Sequence, residues 1–448
     1  MMRAPWVEEI MLSCLPGSPV SADASLFAAI SGDGGGEDRI SALPDSLLCN
    51  VVSRLPVQDG ARTGALSHRW RGIWRATPLV LVDAHLFPDG GPVDWLAPTG
   101  AVSRILASHP GPFRCVLLAN HQIDYSNKDA LADWLRLLAD KGVENLTLVN
   151  RPFTFNVPLQ LPLSLLYCGA SLRRLYLGVW IFPFTTGLPR YPDVSVFPHL
   201  QELGICHGLM EERDLQYVLA CSPKLEILAA LAFVGGRGYA PELFVLGYLD
   251  TAKHVLEIGN TIIKAGVTEV SPNTVVPTVK VLALKARFRV AEEVRTLLSF
   301  LRCSPEVETL YIMASDNDIE HYDDPGEVKP RDKLNSTFWQ GFVPIKCVQS
   351  RVKKVVFDQF SGGTNQFGFL KMVLRKAVLL QKVIVLLAGL DSVKASEATR
   401  KLRPVVSKRK WASKVMDEIS LEVRGRAADH VWRYDEASDL STSDPFIS

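Results

Sequence analysis

An apolar frame, with hydrophobic side chains at its first, fourth and sixth positions, returns along most of this chain. It reads Phe113-Val116-Leu118, Val143-Leu146-Leu148, Leu172-Leu175-Leu177, Leu200-Leu203-Ile205, Val279-Leu282-Leu284, Val307-Leu310-Ile312, Val352-Val355-Phe357 and Leu380-Val383-Val385. Two weaker copies are Leu225-Leu228-Ala230 and Lys253-Leu256-Ile258, the second degenerate at its first position. Successive frames start 25–30 residues apart, apart from one interval of 45. The fourth and sixth positions lie two apart, the period of a strand with one buried face. Between frames the spacing turns helical. Glu211–Ala220 sets Leu215, Val218 and Leu219 on one face, and Ala291–Arg302 does the same with Val294, Leu297, Leu298 and Leu301. One such unit cannot cover its own apolar edge, whereas stacked units bury a continuous one.

The expected fold is therefore an α/β repeat, a curved parallel sheet built one strand per unit, with the period of leucine-rich repeats. Alternation along each strand turns the third, fifth and seventh frame positions away from the repeat core, onto the concave face. Arg174, Tyr176, Glu202, Gly204, Glu257, Lys285, Thr309 and Tyr311 fall there and are the candidates for contacting whatever this face binds. Arginine and tyrosine come first, since they anchor interfaces most often.

The phrase Cys-Ser-Pro-x-apolar-Glu-x-Leu occurs twice, from Cys221 and from Cys303. A recurring cysteine suggests a nucleophile, a metal ligand or a packing element. The proline biases the preceding serine out of the helical region, so each helix is expected to stop there. Cys221 and Cys303 then face inward at the last turn as small apolar fillers.

Basic and acidic residues number 49 and 48, for a net charge of +1, which favours neither nucleic acid nor an anionic membrane as partner. Apolar residues make up 47% of the chain, yet no run reaches the roughly 18 needed to span a bilayer. The eight cysteines show no Cys-x-x-Cys pair and no Cys/His ligand spacing, so free thiols in a reducing compartment are expected. Glu8 and Glu9 interrupt any secretory pattern. Lys408-Arg409-Lys410 is a weak nuclear-import signal, so a cytoplasmic and/or nuclear location is expected. No dinucleotide fingerprint, phosphate loop, zinc-protease motif or nucleophile elbow is present, and Cys206-His207 lacks an orienting partner in the sequence. No catalytic residue, cofactor or metal is expected.

Residues 1–36 and 434–448 read as disordered tails. Residues 315–336 form an acidic insertion that accounts for the long interval, with Asp316, Asp318, Glu320, Asp323, Asp324, Glu327 and Asp332. Between the first tail and the repeats, residues 37–80 show three short helical patterns. Leu47, Leu48, Val51, Val52 and Leu55 form an amphipathic stripe that Pro56 stops; Ala61, Ala65 and Leu66 mark a second helix, and Trp70 and Trp74 share a face of a third. So small a core leaves apolar surface for a partner.

At these residues the chain resembles an F-box, on Leu43-Pro44, Leu47-Leu48, Leu55-Pro56-Val57, Ala61–Thr63, Leu66-Ser67 and Arg69-Trp70 with Trp74. Residues 337–420 resemble the FBD domain that follows leucine-rich repeats in many plant F-box proteins, on Phe338-Trp339, Pro344–Cys347, Val352–Phe357, Gly368–Leu370 and Lys382–Val385. Repeats fill 100–314 between the two. The combined resemblance implies the non-catalytic, substrate-recognition subunit of an SCF-type ubiquitin-protein ligase. It implies docking on a Skp-family linker, and through it on a cullin and a RING subunit. By the same resemblance Leu43, Pro44, Leu47, Leu48, Leu55, Pro56, Val57 and Leu66 contact the linker, while Trp70 and Trp74 either join that contact or close the module's core. The alternative is a repeat scaffold that binds proteins outside ubiquitination.

Overall fold

The computed structural model describes residues 40–86, 97–121, 123–150, 159–188, 195–206, 210–231, 236–238, 243, 245–251, 256–258, 261–263, 276, 278–315, 334, 338–339, 345–387, 398–402, 405, 411–414 and 419–423. Both expected tails, and the acidic insertion apart from Ser315 and Leu334, lie outside the described residues. The chain divides into two compact units, one up to Met210 with Ala220–Leu225, the other from Glu226 with Glu211–Leu219.

The first unit opens with three helices, α1 (Asp45–Ser53), α2 (Val57–Thr63) and α3 (His68–Ala76). Pro44 and Pro56 sit at the N-caps of α1 and α2, where a missing amide proton costs nothing. Ser67 caps α3, its hydroxyl accepting the Trp70 N–H at 3.3 Å. Leu48 and Val52 of α1, Val57 of α2, and Trp70 and Ile73 of α3 bury together as the module's core.

Next come strand β1 (Leu79–Val82), helix α4 (Ala97–Ser108), β2 (Phe113–His121), α5 (Lys128–Asp140) and β3 (Asn145–Asn150). A 3-10 helix (Leu163–Ala170), β4 (Arg174–Gly178) and β5 (Glu202–Cys206) complete the unit. Its strands are parallel in the order β1-β2-β3-β4-β5. Cross-strand partners are the frame residues themselves: Val116 pairs with Leu146, Leu146 with Leu175, and Leu175 with Leu203. Strand β1 belongs to no frame, because its four residues are buried on both faces and show no alternation. A bridge between Pro56 and Val80 joins it to the helical module.

In chain order the second unit holds α6 (Glu212–Ala220), which ends at the unit boundary, β6 (Ile227–Leu231), β7 (Gly236–Gly238), β8 (Val245–Asp250), β9 (Leu256–Ile258), β10 (Thr261–Ile263) and β11 (Val281–Ala286). Helix α7 (Ala291–Cys303), β12 (Thr309–Ala314), α8 (Lys346–Ser350), β13 (Lys354–Phe360), α9 (Thr364–Lys376), β14 (Lys382–Leu387) and β15 (Ile419–Val423) follow. Its main sheet runs β6-β8-β11-β12-β13-β14-β15, all neighbours parallel. Leu310 pairs with Val355 across the long interval, so the insertion leaves the ladder intact.

One frame is corrected. Lys253-Leu256-Ile258 does not supply a strand of the main sheet; Val245–Asp250 does, and Leu256–Ile258 joins a separate sheet of order β10-β9-β7. The reason is local. Only Gly259-Asn260 separates β9 from β10, a turn-forming dipeptide, and Ile258 pairs with Thr261 in an antiparallel hairpin. The true frame has Leu243 and Leu246 buried, but the register slips beside Leu282, so Leu249 replaces the expected sixth position.

Candidate functional site

In the three-helix module, α1 carries two apolar stripes. Leu48 and Val52 face the core, while Leu47 and Val51, four apart on the flank beside them, stay 36% and 44% exposed. Ile40 and Leu66 are 58% and 67% exposed. The approach to α1 is fixed by Arg69. Its guanidinium donates to the Asp45 carboxylate at 2.7 and 2.8 Å, to the Leu43 carbonyl at 2.6 Å and to the Ser41 carbonyl. Trp70 is buried and its indole N–H donates to the Ser41 hydroxyl at 3.2 Å. Pro44 is exposed, and Leu43, Leu55 and Pro56 are half-buried, so the module presents mixed apolar surface around a closed core.

The expected linker residues therefore separate. Pro44, Leu47 and Leu66 are exposed and Leu43, Leu55 and Pro56 partly so, whereas Leu48, Val57 and Trp70 are interior. Trp74 turns to the first repeat: its ring lies 5.1 Å edge-on to His109, which lies 5.2 Å from Phe113. His109 is buried, its Nε2 is 3.2 Å from the Thr77 carbonyl, and desolvation holds its pKa below the ordinary value. Ile40 and Val51 were not among the expected contacts. Adjacent doublets such as Leu47-Leu48 and Val51-Val52 are the signal for them, since a helix against one core needs only one stripe.

The sheet positions behave differently. Arg174, Tyr176 and Glu202 are only 8%, 2% and 5% exposed. They satisfy one another: Arg174 Nε donates to Glu202 Oε1 at 2.9 Å, and the Tyr176 hydroxyl to Glu202 Oε2 at 2.5 Å. A parallel register places them side by side on β4 and β5, and a buried guanidinium needs such a partner. Gly204 makes the room, because a methyl group there would sit 2.1 Å from the Tyr176 ring. Tyr311 is also buried, with Lys354 Nζ 3.3 Å from its hydroxyl and 5.4 Å from its ring centre. Lys285 and Thr309 remain half-buried. Glu257 lies on β9 in the small sheet rather than in the main ladder.

No group of three or more residues arranged to hold a metal ion occurs among the described residues. Burial pushes the thiols of Cys115, Cys168, Cys303 and Cys347 up to about 12, the reverse of an activated nucleophile. Among the described residues, no helix is long and apolar enough to cross a membrane.

Comparison with known proteins agrees with this architecture. A family model described as the leucine-rich repeats of the FBD-associated F-box protein At5g56370 matches residues 131–237 and 236–312. The FBD model matches residues 343–385. The F-box/FBD/LRR-repeat protein At5g22700 of Arabidopsis thaliana is 50% identical over 52 residues, 12% of each chain. The F-box protein At1g60400 of the same plant is 32% identical over 192 residues, 42% of this chain and 43% of its own. A third protein of Arabidopsis thaliana, described as putative F-box/FBD/LRR-repeat protein At5g44950, is 32% identical over 112 residues, 25% of this chain and 24% of its own. The chain thus spans less than half the length of each of these relatives. The chain thus carries, in this order on a parallel α/β sheet, the leucine-rich repeats and the FBD domain found in FBD-associated F-box proteins.

Proposed function

We propose that this protein is a substrate-recognition subunit of an SCF-type ubiquitin-protein ligase, working in the cytoplasm, the nucleus or both. One observation carries the reading. A small helical module with a closed core exposes Leu47, Val51 and Leu66 immediately before a parallel repeat array. Exposed apolar side chains of this kind are the anchors of a protein interface. In this reading Leu43, Pro44, Leu47, Leu55, Pro56 and Leu66 meet a Skp-family linker, which brings a cullin and a RING subunit. Leu48, Val57 and Trp70 shape that surface from beneath.

The receptor breaks no bond. Holding the substrate beside the charged conjugating enzyme raises the effective concentration of its lysines. Lys285 and Thr309 are the remaining sheet candidates for substrate contact.

Binding of the full chain to a purified Skp-family linker tests the proposal. Leu47→Asp with Leu66→Asp changes only solvent-exposed positions, so circular dichroism should stay unchanged while linker binding falls by about ten-fold or more. No binding by the unaltered chain, or equal binding by the variant, would overturn it.

A further inference from the structure

Helix α9 buries one face through Asn365, Gln366, Phe369, Leu370 and Val373. Its other face carries Gly368, Lys371, Met372 and Arg375, spaced three and four apart. Trp339 lies directly on Gly368: a methyl group there would come within 2.4 Å of the indole, so only glycine admits the ring this close. Phe338 stands edge-on to Trp339 at 5.2 Å and is itself covered by the Arg295 guanidinium of α7 at 5.9 Å. The indole is therefore a positioned wall.

Between this wall and α9 lies a cavity of about 530 Å3, floored by Met372 and Leu334 and rimmed by Lys371 and Arg375. That volume is in the range of ligand sites. Among the described residues, no acidic side chain lines it. Lys371 and Arg375 are exposed, and neither has a carboxylate partner among the described residues. An apolar floor, an aromatic wall and a one-sign rim ask for an occupant with an apolar tip and negative flanks.

We infer that this groove binds an acidic peptide segment that seats one apolar side chain against Trp339 while its carboxylates meet Lys371 and Arg375. A peptide fits better than a nucleic acid strand, because the floor is apolar and the cationic rim is short. The inference does not depend on the ubiquitin ligase reading, since it concerns binding alone.

A short fluorescein-labelled peptide with one phenylalanine between runs of aspartate is the probe, read by anisotropy against the full chain. Saturable binding is expected, weakening with salt. It should be lost when lysine replaces the aspartates and weakened when alanine replaces the phenylalanine. Lys371→Glu with Arg375→Glu, both on the solvent side of the helix, should weaken it by about ten-fold or more with unchanged circular dichroism. Gly368→Ala should weaken it by displacing the indole. Equal affinity for the lysine peptide, an unaffected charge-reversed variant, or tighter binding of single-stranded nucleic acid than of the peptide would overturn the assignment.

Discussion

The carbonyl of Cys221 accepts the Phe197 backbone N–H at 3.1 Å, and that of Cys303 accepts the Val276 N–H at 2.6 Å. Both cysteines are buried, as are Ser222 and Ser304 beside them. The repeated phrase thus closes a helix and ties it to the segment one repeat earlier, a packing role legible from its prolines. Cys168 and Cys347 make a related contact, their thiols donating to the Leu135 and Leu301 carbonyls at 3.2 Å. Iodoacetamide labelling of the native protein, mapped by peptide mass, should therefore modify the half-buried Cys49 and spare Cys115, Cys168, Cys221, Cys303 and Cys347. The raised thiols also fix the sign of a pH effect. The folded state holds these protons more tightly than the unfolded chain, so stability should fall as pH climbs from 9.0 toward about 12. A denaturation midpoint flat across that window would contradict this. Alternation marked Arg174, Tyr176 and Glu202 as facing one way, which holds. It could not show that they would bury one another, because that depends on a neighbouring strand a whole repeat away in sequence. Glu202→Ala strands a buried guanidinium and should cost about 3–5 kcal/mol in urea unfolding. A loss below about 1 kcal/mol, the worth of an exposed pair, would show the cluster to be solvated.

At the scale of elements, helices with one apolar stripe were legible. Glu211–Ala220 and Ala291–Arg302 appear as α6 and α7 within a residue at each end. Strand β1 was not, being apolar throughout, and neither was β15, whose sequence falls outside the frame period. The hairpin of β9 and β10 borrowed a degenerate frame, and Gly259-Asn260 was the overlooked sign. The start of α9 depends on a side chain that no pattern advertises. The Gln366 amide oxygen accepts the backbone N–H groups of Ser361, Gly362 and Gly363 at 2.9, 3.0 and 3.2 Å. Gln366 is fully buried, so Gln366→Leu leaves those donors without an acceptor. The expected cost is at least about 1–3 kcal/mol in chemical denaturation. Hydrogen exchange at Ser361–Gly363 should quicken with it, and unchanged exchange would refute this role.

For the molecule as a whole, the period of the frames foretold the parallel ladder, including its continuity past the long interval. What it could not supply was which sheet positions remain open to a partner. Two compact units of nearest-neighbour repeats should not melt as one. Guanidinium unfolding followed by tryptophan fluorescence and by far-ultraviolet circular dichroism should give transitions that do not coincide. Superimposable single transitions would argue for full cooperativity. The cluster on β4 and β5 has an evolutionary corollary. Arg174, Tyr176 and Glu202 are bound to one another chemically, so no one of them can drift alone without endangering the fold. Related chains should keep this rung fixed while other sheet positions vary.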